Sequence, residues 1–200
     1  MVLAKLQARN ELLKMGLPAV LEQLLLTAVI IVSTAIVSNL GAHELLAAMW
    51  NGSLFGLFLS MFTGLSIGTT VVIARNCGAG KKQSIPLIMN VSLIISIVTG
   101  TLVFIILYFA LYNYFRFFYA GAEQKTIEYA TTYGKLLLWG LPIAGAQAVL
   151  IGSIRGVGNN KMPLYINSIV NIANAGLSYM MVNGVIFPKM GLVGSAWGVN

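Results

Sequence analysis

Few residues in this chain can do acid–base or ligand-binding chemistry, and most of them sit inside apolar segments. In the stretch Asn167 to Asn183, NSIVNIANAGLSYMMVN, residues Asn167, Asn171, Asn174 and Ser178 recur with helical spacing. At about 100° per residue they occupy a stripe of roughly 60° on one face of a helix. Amides are costly in hydrocarbon unless partnered, so the stripe must turn toward other helices or toward water inside the protein. It could line a cavity or act as interhelical hydrogen-bonding glue. Glu22 is the one carboxylate expected inside a span. Desolvation disfavours its charged form and would let it cycle between protonation states, whereas a position near the span boundary would let it reach interfacial water. Gln147 is a further candidate lining residue. His43 and Glu44 read as a solvated loop, and Cys77 as a small apolar residue at a helix end.

The segments that must position these groups are set by composition. Hydrophobic residues make up 58% of the chain, charged residues 8%, and Asp is absent. Soluble domains average about 25% charged residues, so this is an all-α membrane protein. The formal net charge of +7 could suggest nucleic acid. The Lys and Arg lie in short clusters between apolar runs, which assigns them to membrane topology and leaves no nucleic-acid partner. One cysteine and one histidine offer no disulfide framework and no metal site. A membrane enzyme acting on a metal-bound diphosphate would need paired acidic residues, which a chain without Asp does not supply.

Residues 1–15 alternate apolar residues with Lys5, Arg9, Glu11 and Lys14 and read as an amphipathic helix on the membrane surface. A span needs roughly 20 apolar residues. Runs of that length are expected over 17–38, 45–74, 86–113, 129–151 and 163–183. A sixth begins at Gly191 and is cut short at Asn200, so the chain reads as a fragment of a longer protein: five complete spans and the start of a sixth. The N-terminal side holds Lys5, Arg9, Lys14, Arg75, Lys81, Lys82, Arg155 and Lys161; the other side holds Arg116, Lys125, Lys135 and Lys189. That bias places the N-terminus in the cytoplasm.

Three further features bear on how the spans meet. Gly52, Gly56, Ser60, Gly64 and Gly68 recur every four positions in the second span, a small-residue ridge expected either to pack closely against another helix or to slide during transport. Pro142 is expected to kink the fourth span. Glu22 and Ser33 are eleven residues apart, as are Asn167 and Ser178, and both spans start from a proline, Pro18 or Pro163. The first and fifth spans are therefore expected to face one cavity through two polar layers, Glu22 with Asn167 and Ser33 with Ser178, about 16 Å apart.

The run Gly64 to Lys82, GLSIGTTVVIARNCGAGKK, resembles the end of the second helix and the following loop in the multidrug and toxic compound extrusion (MATE) transporters. Leu17 to Leu25 (LPAVLEQLL), Gly152 to Asn167 (GSIRGVGNNKMPLYIN) and Gly191 to Gly198 (GLVGSAWG) are similar to the same family. The resemblance covers nearly the whole chain. It implies twelve helices in two six-helix lobes, with this chain as most of the N-terminal lobe and the C-terminal lobe missing from it. It also implies export of organic cations and drugs by alternating access from a bacterial inner membrane, driven by H+ or Na+ and needing no other cofactor. Many members carry Asp in a first-span pattern V-D-T-x-x-V-G, where Val32 to Ser38 here reads VSTAIVS, and in a fifth-span pattern N-x-x-L-D-Y, where Asn174 to Tyr179 reads NAGLSY. Asn174 and Tyr179 match, while Ser33 and Ser178 replace the aspartates. Neither serine titrates near neutral pH, so ion coupling would rest on Glu22 or on carboxylates of the missing lobe. A lipid-linked saccharide flippase of the same superfamily, or a non-transporting bundle, are the alternatives.

Overall fold

The computed structural model describes residues 2–38 and 41–183, and among these there is no β-strand. The helices are α1 (Val2–Ser38), α2 (Ala42–Gly78), α3 (Ile85–Phe118), α4 (Gln124–Leu138), α5 (Leu141–Gly156) and α6 (Lys161–Asn183), with a short 3-10 turn, Lys82–Ser84, before α3. The segment expected as a separate surface helix over 1–15 continues into the first span as one helix, with Pro18 inside it. The sixth expected span, from Gly191, lies outside the described residues.

Gly16–Ala35, Ala42–Gly78 and Lys82–Phe118 are each long and apolar enough to cross a membrane. α4 and α5 meet at a 46° bend and, taken together, are long and apolar enough for a fourth crossing. Pro142 stands in the first turn of α5, where its missing N–H costs nothing, so it starts a helix here and does not merely kink one. At 23 residues α6 has the length of a span, but with its asparagines it falls short of the apolar composition of the others. The chain is a multi-pass bundle whose main pairings are α2 with α5, α3 with α5, α2 with α4 and α1 with α6.

The close-packed seam of the bundle is not the one expected. Gly52, Gly56, Gly64 and Gly68 are exposed, and a Cβ added at any of them would meet nothing within 4 Å. The buried glycines are Gly100 of α3, Gly134 of α4, and Gly145, Gly152 and Gly156 of α5, and the last three form the seam with α2. A Cβ on Gly152 would stand 2.4 Å from the Ser66 carbonyl oxygen, one on Gly156 2.8 Å from Ile73 Cβ, and one on Gly145 3.0 Å from the Phe62 ring. The contact is bonded as well as close: the Ser66 hydroxyl donates to the Ala148 carbonyl at 2.6 Å, and that of Thr70 to the Gly152 carbonyl at 2.8 Å. Small residues let two backbones meet, and hydroxyls then join them, which is how helices associate where lipid removes the hydrophobic drive.

At the opposite end from Arg155, an apolar core of Leu54, Leu111, Phe115, Ile127, Ala130 and Leu138 joins α2, α3 and α4, with Trp50 stacked on Tyr119 at 3.9 Å. His43 was expected in a solvated loop. It lies instead in the first turn of α2, half-buried, with Nδ1 2.7 Å from the Thr126 hydroxyl and Nε2 3.6 Å from a Glu123 carboxylate oxygen.

Candidate functional site

The polar groups that the sequence singles out converge where α1, α5 and α6 meet. Glu22 lies one turn beyond Pro18 and is only 7% exposed. Arg155 occupies the last turn of α5, where a cation complements the helix C-terminus. That end is fixed by Gly158, whose φ of +91° suits glycine and whose N–H donates to the Arg155 carbonyl at 2.9 Å. At the next residue the Asn159 side chain accepts from the Met162 N–H at 3.1 Å, which starts α6 and sets Asn167 beside α5.

Arg155 Nη2 donates to both oxygens of Glu22, at 2.8 Å to Oε1 and 2.7 Å to Oε2. The Asn167 amide donates to Glu22 Oε1. Gln147, eight residues before Arg155 on α5, donates to Asn167 Oδ1 at 3.3 Å. The Asn171 amide donates to the Asn167 backbone carbonyl at 2.6 Å. A carboxylate taken out of water is tolerable when a cation and further donors hold it, and here α5 and α6 supply them. Glu22 is thus nearly closed off by its neighbours and is the hub of a joint between α1, α5 and α6.

Of the expected site residues, Glu22, Gln147, Asn167 and Asn171 are brought together. Asn167 is buried at 9%, its side chain engaged by Glu22 and Gln147, so at this position the stripe is interhelical hydrogen bonding. Asn174 is half-buried one turn further along α6. Ser178 is buried at 3% and Ser33 half-buried, about three turns from the Glu22 joint on their helices. The Tyr179 side chain lies outside the described residues. The groove between α1 and α6, about 470 Å³, is lined by Leu21, Leu24, Leu25, Leu164 and Tyr165, with the Ser168 hydroxyl among them. Its lining is almost wholly apolar.

Sequence reasoning missed two polar residues. Arg155 was counted only as topological charge; its place at the end of a span, two turns after Gln147, was the available signal. Asn51, on α2, is fully buried, and its amide donates to the Ala47 carbonyl at 2.8 Å and across to the Ala130 carbonyl of α4 at 2.9 Å. Among the described residues its carbonyl oxygen has no hydrogen-bond partner, and it faces Gly134, where an added Cβ would collide with it. An isolated asparagine in an apolar run was the signal there.

Comparison with known proteins gives the arrangement a lineage. The family model MatE matches residues 18–180. The chain is 28% identical over 193 residues to the probable multidrug resistance protein NorM of Thermotoga maritima, covering 95% of this chain and 41% of that protein. It is 28% identical over 191 residues to the multidrug resistance protein MdtK of Edwardsiella ictaluri, covering 94% and 41%. Among solved structures, the outward-facing conformation of a multidrug resistance MATE family transporter of the MOP superfamily superposes with a TM-score of 0.86 at 25% identity, over 94% of this chain and 41% of that one. The chain thus spans about two fifths of the length of the relatives it matches. With a family match across nearly all of its described helices, this chain belongs to the MatE family, that of the multidrug and toxic compound extrusion transporters.

Proposed function

We propose that the protein of which this chain forms part is a secondary transporter that exports small amphipathic or cationic organic molecules by alternating access, in antiport with H+ or Na+. The observation that carries this reading is the match to proteins named for multidrug resistance over more than nine tenths of the chain. Substrate would sit between this helical lobe and a second one, held by apolar and aromatic contact and a few oriented polar groups, since this chain presents little negative charge to a cation. The N-terminus would lie in the cytoplasm of a bacterial cell, as the Lys and Arg bias favours.

In this reading the Glu22 joint anchors α1, and the coupling carboxylates belong to the rest of the protein. Glu22 already holds the Arg155 guanidinium, and Ser33 and Ser178 carry no titratable group. The test is efflux of a fluorescent organic cation from liposomes holding the full-length protein, with H+ or Na+ gradients imposed separately. Accelerated movement under at least one gradient is expected, and movement indifferent to both would refute antiport.

A further inference from the structure

Lys135 sits apart from the Glu22 joint, against the aromatic side chains of α3. It lies three residues before the end of α4, half-buried, with its ammonium 5.1 Å from the centre of the Tyr108 ring. Tyr108 belongs to a run of touching aromatics: Trp139 against Phe104 at 4.8 Å, Phe104 against Tyr108 at 5.7 Å, and Tyr108 against Phe109 at 5.6 Å. Trp139 is 62% exposed and Phe109 78% exposed, so the cluster opens outward, not into the bundle. Among the described residues the carboxylates of Glu22 and Glu123 are approached by Arg155 and by the His43 ring, and neither contact uses Lys135.

Depth decides what meets this cluster. From Arg155 back along α5 and α4 to Lys135 is about 30 Å of helix, and from Ile85 to Tyr108 along α3 about 35 Å. The hydrocarbon of a bilayer is about 30 Å thick. With Arg75, Lys81 and Lys82 exposed at one boundary, Lys135 and Tyr108 come level with the phosphates of the other. Tyrosine and tryptophan favour that level, and a lysine there keeps its ammonium in the headgroup layer while its stem lies on apolar surface. The ring holds the ammonium in place without neutralising it.

We propose that Lys135, Tyr108 and Trp139 form a binding site for an anionic phospholipid, with the headgroup phosphate at the Lys135 ammonium and the Tyr108 hydroxyl, and with acyl chains along Trp139 and Phe104. The site is distinct from the Glu22 joint and does not depend on the transport reading.

The experiment uses full-length protein with Trp139 as its one tryptophan, in phosphatidylcholine nanodiscs. Brominated-chain phosphatidylglycerol or brominated-chain phosphatidylcholine is added at equal mole fraction, and quenching of Trp139 is read. The glycerol lipid is expected to quench at about fivefold lower mole fraction, the preference that one basic residue near an anionic surface provides. K135Q abolishes the preference and K135R retains it. Equal quenching by the two lipids in the wild-type protein overturns the site, and that comparison stands whether or not K135Q folds. Inorganic phosphate, added to phosphatidylcholine nanodiscs, is expected to leave Trp139 emission unchanged; displacement of the brominated phosphatidylglycerol by phosphate would overturn the lipid assignment in favour of a free-anion site.

Discussion

A single nitrogen of Arg155 reaches both carboxylate oxygens of Glu22, at 2.8 and 2.7 Å, across 133 residues of chain. Removing one partner of such a pair strands a charge at a position almost closed to solvent. R155A is therefore expected to destabilise the protein by about 2–4 kcal/mol, less than for a fully buried pair because the guanidinium side chain is 35% exposed. Thermal unfolding in detergent, followed by tryptophan fluorescence, checks it. A change within the error of the wild-type midpoint would mean that water already solvates the carboxylate.

The proposed division of labour concerns E22Q. Glutamine keeps the shape and the acceptor for Arg155 and Asn167 but removes the charge. Gradient dependence of efflux is expected to survive in E22Q if, as proposed, the coupling carboxylates lie in the rest of the protein. Downhill efflux that persists while its response to H+ and Na+ gradients vanishes would place the coupling at Glu22.

The two glycine series should respond oppositely to one added methyl group. G152A drives a Cβ to 2.4 Å from the backbone oxygen of Ser66, which cannot swing aside, and is expected to cost about 1–3 kcal/mol. G56A meets open space and is expected to stay within about 0.5 kcal/mol of the wild type. Unfolding midpoints of the isolated variants decide this. Transport by G56A is a separate readout: lost efflux with unchanged stability would show that the exposed ridge meets another part of the full-length protein.

At the other end of the bundle, His43 and Thr126 tie the start of α2 to α4. T126V removes a hydroxyl that is 2% exposed and leaves the imidazole nitrogen without its partner, with an expected cost of about 1 kcal/mol. Faster hydrogen exchange confined to the first turns of α2 and α4 is the expected signature, and exchange identical to the wild type would show that the contact holds nothing.

Much of the architecture could be read from the chain because lipid enforces simple rules. Apolar runs set the spans, and Pro142 after Gly140 marked the break in the fourth. The polar stripe was legible because Asn167 and Asn171 stand out against apolar neighbours at helical spacing. What could not be read was partnership. Arg155 looks like any loop cation until α5 ends beside Glu22. Gly52 to Gly68 and Gly145 to Gly156 look alike as letters; only the neighbouring backbone makes one series a seam and leaves the other bare. His43 follows the same logic, since its partner Thr126 is 83 residues away.

The central claim is that Glu22 and Arg155 act as one unit joining α1 to α5, and a double-mutant cycle on that pair tests it most directly. Stabilities of the wild type, E22Q, R155M and E22Q/R155M give the coupling energy. A coupling of about 2 kcal/mol or more is predicted, with the double variant more stable than R155M alone, because the stranded charge is gone. Additive losses, with a coupling near zero, would contradict the joint.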